Sequence, residues 1–453
     1  MKHIMMNDPK KFLCILALAS LAPALQAAPT LTTIYTFTGA ADGGSPGAGL
    51  LQGRHGNLFG TTEAGGQDGV GTVFQLSPPH AASASYTLTT LHSFAGGSDG
   101  NDPTNIVMDV FGNIYGVTSA GGGSTACGSG CGTVFQLRPP APGQTAWTES
   151  VLYAFNGASD GHFPNGLSID AFGNLYGFTW GGDGTCSSGC GTVYQLSPPL
   201  FGHGAWRYTR LYTFTNIQDG KGPFGNPLLD VFGNIYGIAY SGGPSAPDGC
   251  APFSGCGEVF KLTPPWFSYG ASSAWTKSTI WSFNGNNGTG AFNSLTMDER
   301  GDILGLTNEG GVNTSNCPQI PNSNPAGCGT AFELRHPAYP GAPWTQQMIW
   351  NFSGTGDSGF PADSALVTVH DGYVASTSGG GNDPSGQYGS IVEFIPPTPG
   401  RSNWTEQTLF TFSNDANGAV PVGVLLYADG AVYGTTYGYS GAAASGTVFK
   451  ITQ

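Results

Sequence analysis

The chain of 453 residues is rich in glycine (74 residues) and in aromatic side chains (12%), whereas only 9% of its residues are charged. Its net charge of −14 at pH 7 disfavours nucleic acids, anionic lipids and polyanionic sugars as partners, because these ligands need clusters of basic residues. Such a composition is typical of a turn-rich β protein and not of a disordered chain.

Residues 1–27 have the pattern of a secretory signal peptide. Lys10 and Lys11 precede the apolar run FLCILALASLAPAL, and small residues follow it. The run is shorter than a bilayer-spanning helix, so we expect cleavage and a mature protein that begins near Ala28. Cleavage removes three lysines and one aspartate and leaves 11 basic and 27 acidic residues, a formal charge of −16. We find no second apolar segment and predict a secreted protein, extracellular or periplasmic, without a membrane span.

One phrase recurs seven times after the predicted signal peptide, at intervals of 57 to 72 residues. Around each copy we identify four short runs rich in β-branched and aromatic residues, separated by Gly, Pro, Asn and Asp, which is typical of strands and turns. No part of this region has helical periodicity. The copies read GTVFQL, GTVFQL, GTVYQL, GEVFKL, GTAFEL, GSIVEF and GTVFKI and begin at Gly71, Gly132, Gly191, Gly257, Gly329, Gly389 and Gly446.

The number of strands predicts how the units are arranged. We name the four strands of each unit A, B, C and D in chain order. The last unit lacks a D strand, and an unassigned run, LTTIYTF at Leu31–Phe37, precedes the first unit. If this run supplies the missing strand, the units close into a ring and leave no sheet edge exposed. The sequence therefore predicts an all-β fold, a seven-bladed β-propeller with four-stranded blades, as a single domain over residues 28–453.

The repeated pattern GNLYG.T..GG....GTVF.L resembles that of the GloVer tandem-repeat family of bacterial surface and exported proteins. The resemblance covers essentially the whole chain after residue 27. It implies an exported β-repeat protein, often one with a separate anchoring segment, and it implies no particular activity. We identify no such anchor in this chain.

Eight cysteines follow the signal peptide and form four close pairs in the B–C loops of the second to fifth units. An even number of cysteines in an exported chain favours disulfides. Zinc would need four ligands from neighbouring loops, where histidine is scarce. We therefore predict no metal site and no cofactor, and the four disulfides Cys127–Cys131, Cys186–Cys190, Cys250–Cys256 and Cys317–Cys328.

Aspartates recur in the D–A loops, usually in the pattern DGxxP. A ring of carboxylates could bind Ca²⁺ or sugar hydroxyls, but recurrence in almost every unit favours a structural role in which Asp-Gly builds a turn. The fifth unit lacks the pattern. The positions are Asp42, Asp99, Asp160, Asp219 and Asp357, with Asn417 in the seventh unit.

The position directly after strand B varies although its neighbours are nearly constant, so the fold places little demand on it. It belongs to the B–C loop, which shares one rim of a propeller with the D–A loops. Trp180 and Tyr240 occupy it in adjacent units, whose D–A loops contribute His162 with Phe163 and Lys221 with Phe224. The seven residues at this position are Glu63, Ser119, Trp180, Tyr240, Asn308, Ser378 and Tyr437.

Two interpretations of these rim residues remain open. Aromatic faces beside a few hydrogen-bonding groups suit a neutral sugar chain. Alternatively, the same side chains only pack the loops against one another. On the first interpretation we predict a ligand-binding site formed by Trp180, Tyr240, His162, Asp160, Asp219, Lys221 and Glu309.

Evidence for catalysis is thin, since GxSxG does not occur as a strand-to-helix elbow and the chain has no HExxH motif. The leading interpretation is an exported, monomeric binding or scaffold module that presents a loop rim to an extracellular glycan or protein and not to nucleic acid. The alternative is an extracellular polysaccharide-degrading enzyme that uses His162 and a carboxylate pair, such as Glu63 or Glu309 with Asp219. A lyase acting on uronates is disfavoured because the basic residues are scattered. Whether the protein is an enzyme stays open at this point.

Overall fold

In the part of the chain that the computed structural model describes, runs of β-branched and aromatic residues form 28 strands, which pair into seven antiparallel sheets of four strands each. The sheets are the blades of a seven-bladed β-propeller, as the sequence predicts. The predicted signal peptide and Asp357 lie outside the described residues. These residues are 28–80, 85–157, 159–182, 186, 189–200, 204–243, 250, 255–265, 274–312, 317, 327–339, 341–354, 359–361, 364–378, 388–397, 403–438 and 445–452.

The blades follow one another along the chain, and within each blade the strands pair in the order A, B, C, D. Blade 1 contains β2 (Leu51–Gln52), β3 (Leu58–Thr62), β4 (Thr72–Ser77), β5 (Thr87–Ser93) and a 3₁₀ turn at Arg54–Gly56. Blade 2 contains β6 (Asn101–Met108), β7 (Ile114–Ala120), β8 (Thr133–Arg138) and β9 (Thr148–Ala154). Blade 3 contains β10 (His162–Ile169), β11 (Leu175–Gly181), β12 (Thr192–Ser197) and β13 (Arg207–Thr213). Blade 4 contains a 3₁₀ turn at Ile217–Asp219, β14 (Lys221–Leu229), β15 (Ile235–Ser241), β16 (Glu258–Thr263) and β17 (Thr276–Ser282).

The remaining three blades repeat this order. Blade 5 contains β18 (Thr296–Met297), β19 (Ile303–Thr307), β20 (Thr330–Arg335) and β21 (Thr345–Asn351). Blade 6 contains β22 (Val367–Thr368), β23 (Tyr373–Thr377), β24 (Ser390–Ile395) and β25 (Thr405–Thr411). Blade 7 contains β26 (Pro421–Ala428), β27 (Ala431–Thr436) and β28 (Thr447–Thr452), and its fourth strand is β1 (Thr30–Thr36).

The first strand of the chain closes the ring. β1 pairs antiparallel with β28, from Thr30 opposite Thr452 to Thr36 opposite Thr447. The backbone N–H of Phe37, just after the strand, donates to the carbonyl of Gly446 at 3.0 Å. The predicted closure is confirmed, and it covers a sheet edge that would otherwise lie open.

The recurring threonines of strands B and C hold these two strands together. In blade 3 the hydroxyls of Thr179 and Thr192 lie 2.8 Å apart, and the N–H of Thr192 donates to Oγ1 of Thr179 at 3.1 Å. Equivalent pairs of buried threonines occur in blades 1, 2, 5 and 7. Blade 4 has Ala239 opposite Glu258 instead, and the buried Glu258 carboxylate pairs with Nζ of Lys277 at 2.5 Å.

Neighbouring blades meet at the glycine of the repeated phrase. A Cβ on Gly132 would lie 2.4 Å from Cδ of Pro164 at the entry to the next blade, and the same contact recurs at four other copies. The residue before this proline, Phe163, donates its N–H to the carbonyl of Cys131 at 3.0 Å. Seven hydrophobic clusters of described residues fill the spaces between adjacent blades. The phrase repeats because each blade needs the same register and the same contact with its neighbour.

Four disulfides link the cysteines of individual B–C loops, and each joins the pair that the sequence predicts. Stable disulfides are typical of proteins that fold in an oxidising compartment. Among the described residues, no helix has the length and apolar character needed to cross a membrane. The disulfides therefore support a location outside the cytoplasm.

Candidate ligand-binding site at the propeller axis

A cavity of about 290 Å³ lies at the axis of the propeller. Its lining comes from the beginnings of A strands, or the residues just before them, and from residues at or directly after the ends of B strands, so it opens on the rim that the D–A and B–C loops share. Blades 1, 2, 3, 4, 5 and 7 contribute to it. Three of the variable positions noted in the sequence, Glu63, Ser119 and Trp180, are among the lining residues.

Part of the cavity wall is aromatic, with Phe163, Trp180, Phe224 and Phe292 in its lining. The Phe292 ring stacks on Tyr240 at a centroid distance of 4.0 Å and on Trp180 at 5.6 Å. Trp180 and Tyr240 lie 5.6 Å apart, so the structure brings these two predicted site residues together. Tyr240 is not part of the lining and supports it through Phe292, a residue that the sequence analysis missed.

Two glycines make room for the large rings. Gly222 and Gly290 occupy, in blades 4 and 5, the entry position that Phe163 occupies in blade 3, and all three have a positive φ. A Cβ on Gly222 would lie 3.0 Å from Cζ3 of Trp180, and one on Gly290 would lie 3.4 Å from Cε2 of Tyr240. In these two cases a large residue at the end of strand B is matched by a glycine at the entry to the next blade, whereas Tyr437 is matched by Ser45.

The rest of the lining mixes glycines and small apolar residues with asparagine, serine and threonine, and it carries one ionisable group, Glu63. The negative charge of Glu63 raises the pKa of the Tyr437 hydroxyl, and burial and a hydrogen bond between the two side chains raise it further. No lysine, arginine or histidine is among the described residues that line the cavity. The electrostatic character of the cavity is therefore that of a single carboxylate beside aromatic rings.

Two buried polar atoms at the cavity lack a hydrogen-bond partner among the described residues, Oδ1 of Asn165 and Oγ1 of Thr104. Asn165 is 8% exposed, and its Nδ2 donates to a backbone carbonyl of blade 4 at 3.2 Å. By contrast, Oδ1 atoms of Asn105 and Asn226 both accept from the N–H of Leu167. A buried polar atom without a partner is costly, but the first two atoms have almost no surface open to the cavity, so a bound hydroxyl would not reach them without a shift of the lining.

The aspartates of the D–A loops hold the loops that contain them. Asp160 and Asp219 each accept from the N–H of the residue four positions earlier, at 3.0 and 2.9 Å. Each also accepts from a tyrosine hydroxyl of the preceding D strand, at 2.9 and 2.7 Å. Asp42 and Asp99 make the same backbone bond. These contacts support the structural interpretation. Neither Asp160 nor Asp219 lines the cavity, and a role for them as ligand contacts stays a prediction.

The other predicted site residues lie on the same rim, outside the cavity lining. His162 packs edge-on against Phe163 at 4.8 Å, and burial lowers its pKa against an opposing effect of Asp160. Burial raises the pKa of Glu309, and burial together with the nearby Glu309 raises the pKa of Tyr240 to about 12. Lys221 begins β14 and is partly exposed. The lowered pKa of His162 favours the neutral form of its ring.

Within the described part of the chain, one group of carboxylates lies close enough to hold a metal ion. Carboxylate oxygens of Asp298, Asp302 and Glu333 lie within 4.8 Å of one another. The guanidinium of Arg300 contacts all three at 2.7 to 3.3 Å. Asp298 and Asp302 belong to the A–B turn of blade 5, on the rim opposite the cavity, and Glu333 lies in β20 beside them. Arg300 already supplies a positive charge there.

These features define a seven-bladed propeller with disulfide-linked rim loops and an aromatic cavity at its axis. The chain belongs to the Gloeobacter/Verrucomicrobia repeat family, whose model matches residues 23–147 and 123–317. This match confirms the resemblance carried by the repeated phrase. No curated protein matches the chain.

Similar solved structures support the fold alone. An ulvan lyase, from a new family of polysaccharide lyases and bound to -[GlcA(1-4)Rha3S]-, is 10% identical, with a TM-score of 0.54 over 92% of this chain and 95% of that chain. An aldose sugar dehydrogenase from Streptomyces coelicolor with bound PQQ is 10% identical over 94% and 98% of the two chains, with a TM-score of 0.41. The extracellular domain of a one-component system from B. thetaiotaomicron is 11% identical over 94% of this chain and 42% of that chain, with a TM-score of 0.49.

Proposed function

We propose that the protein is an exported binding module that holds a neutral glycan in its axial cavity. The observation that carries this proposal is the composition of the cavity lining. Four aromatic side chains lie in it together with the carboxyl group of Glu63 and the polar side chains of asparagine, serine and threonine. A sugar ring presents an apolar face and a rim of hydroxyls, and a cavity that combines aromatic rings with a few hydrogen-bonding atoms suits both.

The charge of the lining supports a neutral ligand over an acidic one. The ulvan lyase of similar fold binds a glucuronate-containing, sulfated sugar. In the present cavity no lysine, arginine or histidine is among the described lining residues, and Glu63 is negatively charged. An acidic sugar would therefore bring its charges into the cavity without a cationic partner, which is unfavourable.

Two features support export of the module. Residues 1–27 have the pattern of a signal peptide. The four disulfides suit an oxidising compartment. We therefore propose that the protein is located outside the cytoplasm, where extracellular or periplasmic glycans can enter the cavity.

The enzyme alternative has weaker support. A glycoside hydrolase uses two carboxyl groups that flank the bond to be cleaved. Glu63 is the one carboxylate among the described residues that line the cavity. His162 and Glu309 lie outside the lining, and Asp219 is held by its own loop. We therefore favour binding without cleavage.

The test compares two truncations at one structural position. Phe163 and Val420 both precede the proline of an A strand, with φ of 54° and 57°, and both donate their N–H to the preceding blade. Phe163 lines the cavity and is 36% exposed, whereas Val420 does not line it. Phe163→Ala should weaken binding of a neutral oligosaccharide by about 1 kcal/mol, the scale of one aromatic contact, and Val420→Ala should not.

Isothermal titration calorimetry with a panel of neutral and acidic oligosaccharides measures these affinities. A reducing-end assay on the same mixtures detects cleavage. The proposal expects binding of a neutral sugar, no new reducing ends and an effect confined to Phe163→Ala. Equal effects of the two variants, binding of acidic sugars alone or release of reducing ends would each overturn it.

A further inference from the structure

The ionisable groups at the axial cavity are carboxylates, in the lining and directly behind it. Glu63 is the ionisable member of the lining. Ser119, which also lines the cavity, donates its hydroxyl to Oδ2 of Asp102 at 2.5 Å, so a second carboxylate lies one hydrogen bond behind the wall. On the neighbouring part of the rim, burial lowers the pKa of His162, which keeps its ring neutral, and Lys221 lies outside the lining. The cavity thus offers negative charge to a ligand.

Aromatic rings add to this preference. The face of an aromatic ring carries partial negative charge and attracts an ammonium group, most strongly where water is excluded. Trp180, Phe163, Phe224 and Phe292 all line the cavity that contains Glu63. A carboxylate beside several aromatic rings is the arrangement that recognises organic cations, because the ammonium contacts the rings and donates to the carboxylate.

Glu63 can accept a further hydrogen bond. Its carboxylate binds the hydroxyl of Tyr437, which orients it. An ionised carboxylate has about four lone-pair sites, so this bond leaves acceptor capacity for a ligand. A neutral sugar would use the rings and the polar side chains of the lining, and a sugar with an ammonium group would use the charge of Glu63 as well.

We infer that the cavity selects, among the glycans that it binds, one that carries a protonated primary amine, such as a chain of glucosamine. This inference rests on the proposed function, a glycan-binding cavity, and extends it from neutral sugars to a positively charged one. The acetylated form of the same chain keeps the ring shape and most of the hydroxyls but loses the positive charge. A comparison of the two forms therefore isolates the contribution of Glu63.

The experiment titrates the full exported protein with glucosamine oligosaccharides and with N-acetylglucosamine oligosaccharides of the same length, at a mildly acidic pH where the amines are protonated. The amine form should bind about tenfold more tightly, the effect expected of one charge-assisted hydrogen bond. Glu63→Gln should abolish this preference by lowering the affinity for the amine form to about that for the acetylated form, since glutamine keeps the shape of glutamate but not its charge.

Asp68 provides the matched control. It lies in the same B–C loop as Glu63 and is exposed, and it does not line the cavity. Asp68→Asn removes the same charge from the same loop and should keep the tenfold preference. At higher pH, where the amines lose their protons, the unaltered protein should show no preference for the amine form. This measurement does not depend on the folding of any variant.

The outcomes separate this inference from the proposed function. Equal affinity for the two sugars in the unaltered protein would overturn the amine selectivity and leave neutral-glycan binding in place. The preference for the amine form could survive in Glu63→Gln, or Asp68→Asn could reduce it as much as Glu63→Gln does. Either result would assign the preference to the overall negative charge of the protein and overturn the role of Glu63. Failure of both sugars and of every other neutral oligosaccharide to bind would overturn the proposed function itself.

Discussion

Glu149 in blade 2 lies where other blades place a hydrogen-bond donor. The equivalent side chains of three blades donate to the carbonyl of the D–A loop residue that begins their own blade, at 2.7 to 3.2 Å. Glu149 is an acceptor unless it is protonated, and its Oε1 is buried without a partner among the described residues. The three donors are Tyr208 to Asp160, Lys277 to Asp219 and Gln346 to Asn287.

This position makes stability depend on pH. Burial, and then the negative charge of Asp99, raises the pKa of Glu149 to about 7 from an ordinary value of 4.5, although His92 opposes the effect. Because the pKa is higher in the folded than in the unfolded protein, the folded state binds the proton more tightly. The stabilisation by protonated Glu149 is complete below about pH 4.5 and is lost as the pH rises through about 7.

Glu149→Gln should remove this dependence. The amide of glutamine donates without a titrating proton, as Gln346 does in blade 5. A pKa displacement of this size corresponds to about 3 kcal/mol for a fully buried group. The side chain is only half-buried, so solvent screening reduces the effect, and we expect the variant to be more stable than the unaltered protein by about 1 kcal/mol at pH 8. At pH 4 the two proteins should be equally stable.

Urea titrations followed by tryptophan fluorescence measure the difference in stability between Glu149→Gln and the unaltered protein. They should run from about pH 4 to about pH 8, which spans the ordinary and the raised pKa of Glu149. Glu406 is the matched control, because it occupies the same position in blade 6 and its Oε1 accepts from the Thr408 hydroxyl at 3.0 Å. Glu406→Gln should bring no comparable gain. A stability difference for Glu149→Gln that is the same at every pH, or a variant less stable than the unaltered protein at pH 8, would refute the reasoning.

Three further predictions test the fold. Deleting Thr30–Thr36 should abolish cooperative thermal unfolding, because it leaves β28 unpaired, and a truncated protein with an unchanged melting curve would contradict ring closure. Lys277→Met should lower the free energy of unfolding by about 3–5 kcal/mol because it leaves Glu258 charged and buried, and adding Glu258→Gln should recover much of the loss in urea titrations rather than increase it. Replacing Cys317 and Cys328 by serine should lower the free energy of unfolding by about 2–3 kcal/mol, whereas free thiols at these positions in the exported protein would show that the disulfide does not form.

The blade count, the ring closure and the disulfides could be predicted because their signals are local and repeated. A turn, a β-branched run or a cysteine pair within one loop depends on a few neighbouring residues, and seven copies reinforce one another. The link between Leu31–Phe37 and the last blade needed only a count of strands.

The composition of the cavity depends on how neighbouring blades are spaced. No local sequence pattern shows that spacing. Phe292 lies in the unit that lacks the DGxxP pattern, so nothing in the repeat marks it as a rim residue. Its stacking on Tyr240 and Trp180 arises from the contact of three blades. The sequence alone suggests that Trp180→Ala spares stability. Since the Trp180 ring packs on Phe292 and against Gly222, we now expect that truncation to be destabilising, and Phe163 is the better probe.

A crystal structure of the protein with a bound neutral or amine-bearing oligosaccharide tests the central claim most directly. The account predicts a sugar ring in the axial cavity, in contact with Phe163 and Trp180. A sugar bound instead on the opposite rim, where the A–B turns expose Phe111 and Phe172, with the axial cavity empty, would contradict it.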